Sequence, residues 1–178
     1  MTTISIIGAG NMATAIGARA AAHGHTVEIM GRDKAKAQAA AGQIGEAAIV
    51  GEYRAKPAGD IVFLAVLYSG AVDVVKDYGD ALAGKILIEI TNPFNADASG
   101  VVTTAGNSIS QQIAAVAPAN TQVLKAFNTV FRDMLAADQP LDVFVAGGNP
   151  AARGPRDASG ESGNATPRRR RSRDDSRP

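Results

Sequence analysis

Cysteine is absent from the 178-residue chain, and histidine occurs only twice, at His23 and His25. The first absence excludes disulfides, thiolate nucleophiles and Cys-ligated metal; the second leaves no His-rich site, so no metal centre is expected. No apolar run approaches the ~18 residues of a membrane-spanning helix, and the N-terminus enters Ile4-Ser5-Ile6-Ile7 without a basic leader or cleavable apolar segment. Export and membrane insertion are therefore not expected, and a cytoplasmic location is. Paired acids at a common site are not evident either, which gives little support to hydrolysis by two carboxylates.

What is present has an ordinary globular balance, with 46% hydrophobic and 20% charged residues. That excludes a wholly disordered or fibrous chain and suits one domain with a sizeable core. The formal charge of +1 conceals two unlike parts. Residues 1–148 hold 10 basic and 13 acidic side chains, a net of −3, whereas residues 149–178 hold eight and four, a net of +4. Beyond Val145 there is no Val, Ile, Leu, Met, Phe or Tyr, yet residues 149–178 carry four of the eight Pro and eight of the 12 Arg. Such a segment cannot bury enough surface to offset its ordering entropy. The expectation is a folded domain over 1–148 and a disordered Arg/Pro-rich tail over 149–178. The run Arg168-Arg169-Arg170-Arg171-Ser172-Arg173 has no interleaved aromatic residue and no fold to present it, so specific nucleic-acid binding is not expected. The tail begins where a strand has just ended, and every lysine lies in the body. We read it as replacing a native C-terminus, as a reading-frame shift would do.

Within the body, apolar β-rich runs alternate with Ala-rich helical stretches. Strands are predicted over Ile4–Ile7, Thr26–Met30, Ala47–Val50, Asp60–Val66, Lys85–Ile90, Gln122–Phe127 and Asp142–Ala146. Helices are predicted over Asn11–Ala22, closed by Gly24, over Lys34–Ala41 and Gly70–Tyr78, and across Ser110–Val116 before Pro118. Continuous Ile/Val runs separated by helices imply strands buried on both faces of a mostly parallel sheet, hence a doubly wound α/β fold.

The first turn reads Gly8-Ala9-Gly10-Asn11-Met12-Ala13, directly after a strand and opening a helix. This is the context a G-x-G-x-x-G/A dinucleotide fingerprint demands. Gly8 permits the tight turn, Gly10 lets the backbone approach a pyrophosphate, and Ala13 keeps the helix close to the sheet. Amide groups and the helix dipole then face the phosphates. At the end of the second strand, where an NAD site normally places a carboxylate, stands Met30-Gly31-Arg32-Asp33-Lys34. Arg32 can meet a 2′-phosphate with paired charge-assisted bonds, and Lys34 adds charge, so NADP is the expected cofactor. Asp33 remains open between a ribose acceptor and the cap of the next helix.

In an open α/β sheet the ligand crevice lies beyond the carboxyl ends of the strands, which selects Val66–Ser69, Thr91–Phe94 and Phe127–Val130 as its walls. Ala65, Val66, Asn92 and Pro93 are accordingly read as cofactor contacts. Tyr68, Asn92 and Asn128 are the candidate catalytic residues: Tyr68 as a ring beside the nicotinamide or a donor to ribose, the two Asn as amide donors and acceptors. Each retains a plainer alternative, a surface aromatic or an ordinary turn residue. Lys125, inside a strand, is read as a structural lysine.

The segments Ile6-Ile7-Gly8-Ala9-Gly10-Asn11-Met12-Ala13 and Gly31-Arg32 resemble the N-terminal Rossmann domain shared by pyrroline-5-carboxylate reductases and coenzyme F420-dependent NADP reductases. Ile90-Thr91-Asn92-Pro93-Phe94-Asn95 and Lys125-Ala126-Phe127-Asn128-Thr129-Val130 are similar to the F420-dependent type, while Ala65-Val66-Leu67-Tyr68 departs from the Ala-Val-Lys-Pro of the proline-pathway enzymes. The resemblance spans about residues 3–148. It implies hydride transfer between the nicotinamide C4 of NADP(H) and the deazaflavin C5 of F420, with a homodimer as the assembly left open. The cofactors carry that chemistry, so a missing nucleophile does not count against an enzyme. Alternatives are an NADP-dependent reductase of a flavin, metal chelate or imine, or an NADP-binding module without turnover. In the resembling family a C-terminal stretch covers the second cofactor, and here the polar tail stands in its place; binding is expected to outlast turnover.

Overall fold

Successive side chains of a strand point to opposite faces of its sheet, and the first strand uses both. In β1 (Thr3–Ile7), Ile6 packs into one apolar cluster and Ile7 into another, both shut off from water. Each such buried aliphatic side chain contributes about 1.5–3 kcal/mol. The structure, a computed structural model, describes residues 1–137 and 139–147. After β1 come α1 (Asn11–Ala22), β2 (Thr26–Met30), α2 (Lys34–Ile44), β3 (Ala48–Gly51), β4 (Ile61–Leu64) and α3 (Tyr68–Tyr78). A 3-10 turn (Gly79–Leu82) leads to β5 (Ile86–Glu89), α4 (Ile109–Val116), β6 (Gln122–Lys125), α5 (Arg132–Ala136) and β7 (Ala146–Gly147).

The sheet has the order β3-β2-β1-β4-β5-β6-β7 and is parallel except for β7. This is the doubly wound Rossmann arrangement. Ala13 and Ile16 of α1, Ala37 and Ala40 of α2 and Leu135 of α5 cover Ile6, Ile29 and Phe63. Ala71, Val74 and Val75 of α3 and Ile109 and Ile113 of α4 cover Ile7, Val62, Leu64 and Leu87. Chain order reverses between β1 and β4, which pair directly from Ile4↔Ile61 to Ile7↔Leu64. Their carboxyl ends open the crevice that holds the site.

Several elements differ from the sequence expectation for identifiable reasons. Asp142–Val145 is not strand: Leu141 and Val143 pack on the α1 side of the sheet, and only Ala146 and Gly147 pair, antiparallel, with Lys125 and Leu124. The fourth strand ends at Leu64 because the Leu67 position already caps α3. The helix expected from Ser110 starts one residue earlier, where Ser108 and Gln111 form a reciprocal capping box. The short α5, absent from the sequence reading, is tied to α1 by Arg19, whose guanidinium donates to the carbonyls of Leu135, Ala137 and Gln139. His23 is exposed and His25 half-buried. The tail reading, residues 149–178, falls outside the described residues. Among the described residues no helix is long and apolar enough to cross a membrane.

Candidate functional site

The turn after β1 is fastened to both neighbouring strands: the Gly8 amide donates to the Met30 carbonyl at 2.9 Å, and the Ala65 amide to the Ile7 carbonyl at 2.8 Å. Gly8 has φ +129°, and a Cβ built there would lie 2.2 Å from the Ala65 carbonyl oxygen. Only glycine fits. Gly10 is the N-cap of α1, in extended conformation, with no side-chain cap and no acidic residue in the first turn. The leading amides of α1 thus keep their hydrogen-bonding capacity, and the positive end of the helix dipole faces outward. A Cβ on Gly10 would meet nothing within 4 Å. The space in front of the helix is open at the point where an anion would sit.

That space is part of a cleft of about 710 Å3 running along the carboxyl ends of β1, β2, β4 and β5. The cleft gathers Gly8, Ala9, Gly10, Asn11, Met12, Arg32, Ala65, Val66, Tyr68 and Asn92 from the sequence-predicted residues. Ala13 lies beneath, fully buried, holding α1 against the sheet. Lys34 and Pro93 do not line the cleft; Lys36, one helical phase further on, does. Asn128 also stands outside the lining, but its backbone carbonyl accepts from Asn92 Nδ2 at 2.7 Å. Its contribution is therefore main-chain: it fixes the Asn92 amide.

At the β2 end, Arg32 is exposed and engaged in no ion pair or hydrogen bond among the described residues. Asp33 resolves as the cap of α2, accepting from the Lys36 amide at 3.1 Å. Its carboxylate also lies 3.9 Å from Lys36 Nζ. Two cations, Arg32 and Lys36, thus border this end together with the Asp33 carboxylate. Arg32→Ala is expected to weaken NADPH binding by about 1–3 kcal/mol and leave NADH little changed, since one charged hydrogen-bonded partner is removed. Titration of both nucleotides checks this; equal losses would refute the assignment.

Tyr53, missed in the sequence because it precedes no recognisable motif, forms part of the same wall. It stands edge-on to Tyr78 with ring centroids 5.4 Å apart, and its hydroxyl donates to Asp77 at 3.1 Å. Arg54 pairs with Asp77 at 2.8 Å and lies over the Tyr53 ring. Burial and then the Asp77 bond push the Tyr53 hydroxyl above its ordinary range, and burial pushes Tyr78 up to about 12. The Arg54 bond chiefly holds the Asp77 carboxyl below its ordinary range.

At the far end, Leu67 caps α3 and is 80% exposed. With Val66 and the half-buried Tyr68 it makes an apolar lip within the Val66–Ser69 wall. Opposite, Thr91 is held by a buried ionic network. Glu89 accepts from the Thr91 amide and hydroxyl at 2.9 and 2.8 Å, from Ser110, and from Lys125 Nζ at 2.7 Å. Lys125 also donates to the Thr91 carbonyl at 2.8 Å. Burial alone would raise the Glu89 pKa, but Lys125, Ser110 and Thr91 together hold it below the usual carboxylate range.

Comparison with known proteins agrees with this architecture. A hypothetical protein from Sinorhizobium meliloti superposes with TM-score 0.74 at 28% identity, covering 85% of this chain and 76% of its own. A candidate F420-dependent NADP-reductase from Arthrobacter sp. FB24 gives TM-score 0.73 at 22% identity, with coverages of 86% and 77%. An imine reductase from Aspergillus terreus, in complex with NADPH4 and dibenz[c,e]azepine, gives 0.58 at 21% identity and covers 75% and 43%. The last two likenesses concern the fold. No curated protein matches the sequence. The family described as NADP oxidoreductase, coenzyme F420-dependent, matches residues 3–93, the segment that carries the elbow, Arg32, Tyr53 and the Leu67 lip. The chain belongs to this family of F420-dependent NADP oxidoreductases.

Proposed function

We propose that this chain transfers a hydride between NADP(H) and coenzyme F420. The observation that carries the reading is the open elbow: uncapped α1 amides and the empty flank of Gly10 on one side, a free Arg32 on the other, in a chain of this family. Gly8 to Met12 would hold the diphosphate, and Arg32 with Lys36 the 2′-phosphate. When bound, the two cofactors supply the hydride and its acceptor, so no side-chain nucleophile is required. The protein's task is positioning and water exclusion. Val66, Leu67 and Tyr68 provide an apolar wall against which a flat ring can lie, and Thr91 with Asn92 faces it with polar groups pinned by Glu89 and Asn128.

Stopped-flow absorbance at the NADPH band tests the reading, with F420, a flavin, a chelated ferric ion and a cyclic imine as acceptors in turn. Oxidation with F420 and not with the others is the expected result. Oxidation only with another acceptor would reassign the second substrate, and tight NADPH binding without turnover would reduce the chain to a cofactor-binding module.

A further inference from the structure

Behind the Arg32 end of the cleft lies a second group of charges that the binding scheme above does not use. Tyr53 lines the cleft, and its hydroxyl is anchored to Asp77 in the last turn of α3. Arg32 and Tyr53 line the same cleft, so Asp77 stands one hydrogen bond behind the wall that Arg32 shares. Left alone, Asp77 would oppose a doubly charged phosphate at Arg32. It is not alone: Arg54 Nη2 meets its Oδ1 at 2.8 Å, while Tyr53 holds its Oδ2 at 3.1 Å. Arg54 itself has φ +71°, a conformation that side-chain-bearing residues rarely take. Its guanidinium carbon then sits 5.6 Å from the Tyr53 ring centre.

Resting on the NADP reading, we propose that Arg54 is a specificity-determining residue: it masks Asp77, so that the field around Arg32 stays positive and the phosphorylated cofactor is preferred. Arg54 acts through Asp77 and not by binding the phosphate itself, because its guanidinium is already committed.

The test is a charge series in the intact chain, R54Q, D77N and R54Q/D77N, titrated with NADPH and with NADH. R54Q uncovers the carboxylate and is expected to weaken NADPH roughly threefold to tenfold at low salt, with NADH unchanged within about twofold. D77N leaves Arg54 unopposed and shifts NADPH in the other direction. The double variant, neutral at both positions, returns the NADPH to NADH ratio close to that of the parent, and the differences shrink as salt is raised. Merely structural damage would weaken both nucleotides together and would be worst in the double variant. A ratio that stays constant across the series overturns the masking role and leaves the NADP reading standing. A parent chain that binds both nucleotides alike overturns the NADP reading itself.

Discussion

Replacing Gly8 by alanine is expected to destabilise the protein by about 3–5 kcal/mol and to abolish nucleotide binding, since a strained backbone and an overpacked contact act together. The backbone there has φ +129°, and the added Cβ would lie 2.2 Å from the Ala65 oxygen and 2.8 Å from its carbonyl carbon. Neither atom belongs to a flexible side chain that could swing aside. Relief therefore requires β1 and β4 to separate, and these strands form the centre of the sheet. Ile7 and Leu64, both buried, would lose their packing in the process. A urea titration should show a lower midpoint at an unchanged slope, the signature of lost stability. A Gly8→Ala chain as stable as its parent would mean that the close approach of the two strands is not what selects glycine.

Gly10→Ala separates binding from folding. Gly10 has an ordinary negative φ of −90°, and its added methyl meets nothing within 4 Å. Stability should fall by less than about 1 kcal/mol, the usual range for changes at an N-cap. NADPH affinity should fall by about 2 kcal/mol or more, roughly thirtyfold, because the methyl occupies the volume where the diphosphate meets the α1 amides. Retained affinity in this variant would place the diphosphate elsewhere.

The elbow is legible in the sequence because close backbone approach leaves glycine as the one solution, and its spacing between a strand and a helix is local. The sheet is legible for a similar reason: a run such as Ile61–Leu64 is buried on both faces and reads as a continuous apolar stretch. Other features depend on facts that no local window contains. Lys34 and Lys36 are equivalent in composition, but helix phase turns only Lys36 to the cleft. Asp33 could serve ribose or the helix, and the fold shows its carboxylate capping α2 while also lining the cleft. Leu141 and Val143 alternate as a strand would, yet their apolar side chains find the α1 face while their backbone pairs with no strand among the described residues. Arg54 meets Asp77 only because the turn after β3 and the end of α3 converge in space. Asn128 is readable as a polar residue near the crevice, but not that its carbonyl, and not its side chain, makes the contact.

Lys125→Met is expected to destabilise the protein by about 3–5 kcal/mol, the usual consequence of removing one partner from a buried ion pair. Glu89 is fully shielded from water, whereas Lys125 keeps 27% of its side chain exposed. The variant therefore strands a buried carboxylate with only the Ser110 and Thr91 donors to satisfy it. The pH dependence gives the sharper test. In the parent, the Glu89 pKa is lower in the folded state than its ordinary value of 4.5. Its stabilising contribution is present above that ordinary value and is lost as pH falls through the depressed one. Without the ammonium one of the groups that lower it is gone, so the folded pKa rises relative to the parent's and less of the variant's stability depends on an ionised Glu89. Urea midpoints for parent and variant should thus approach one another as pH drops from about 7 toward 4. Parallel curves would show that Lys125 does not govern the ionisation of Glu89. The same substitution frees the Thr91 carbonyl while Glu89 still holds its amide and hydroxyl. Thr91 lines the cleft, so its loosened loop should lower kcat by about tenfold or more, reflecting misplacement of the reacting rings, while NADPH affinity, set by the elbow and Arg32, changes little.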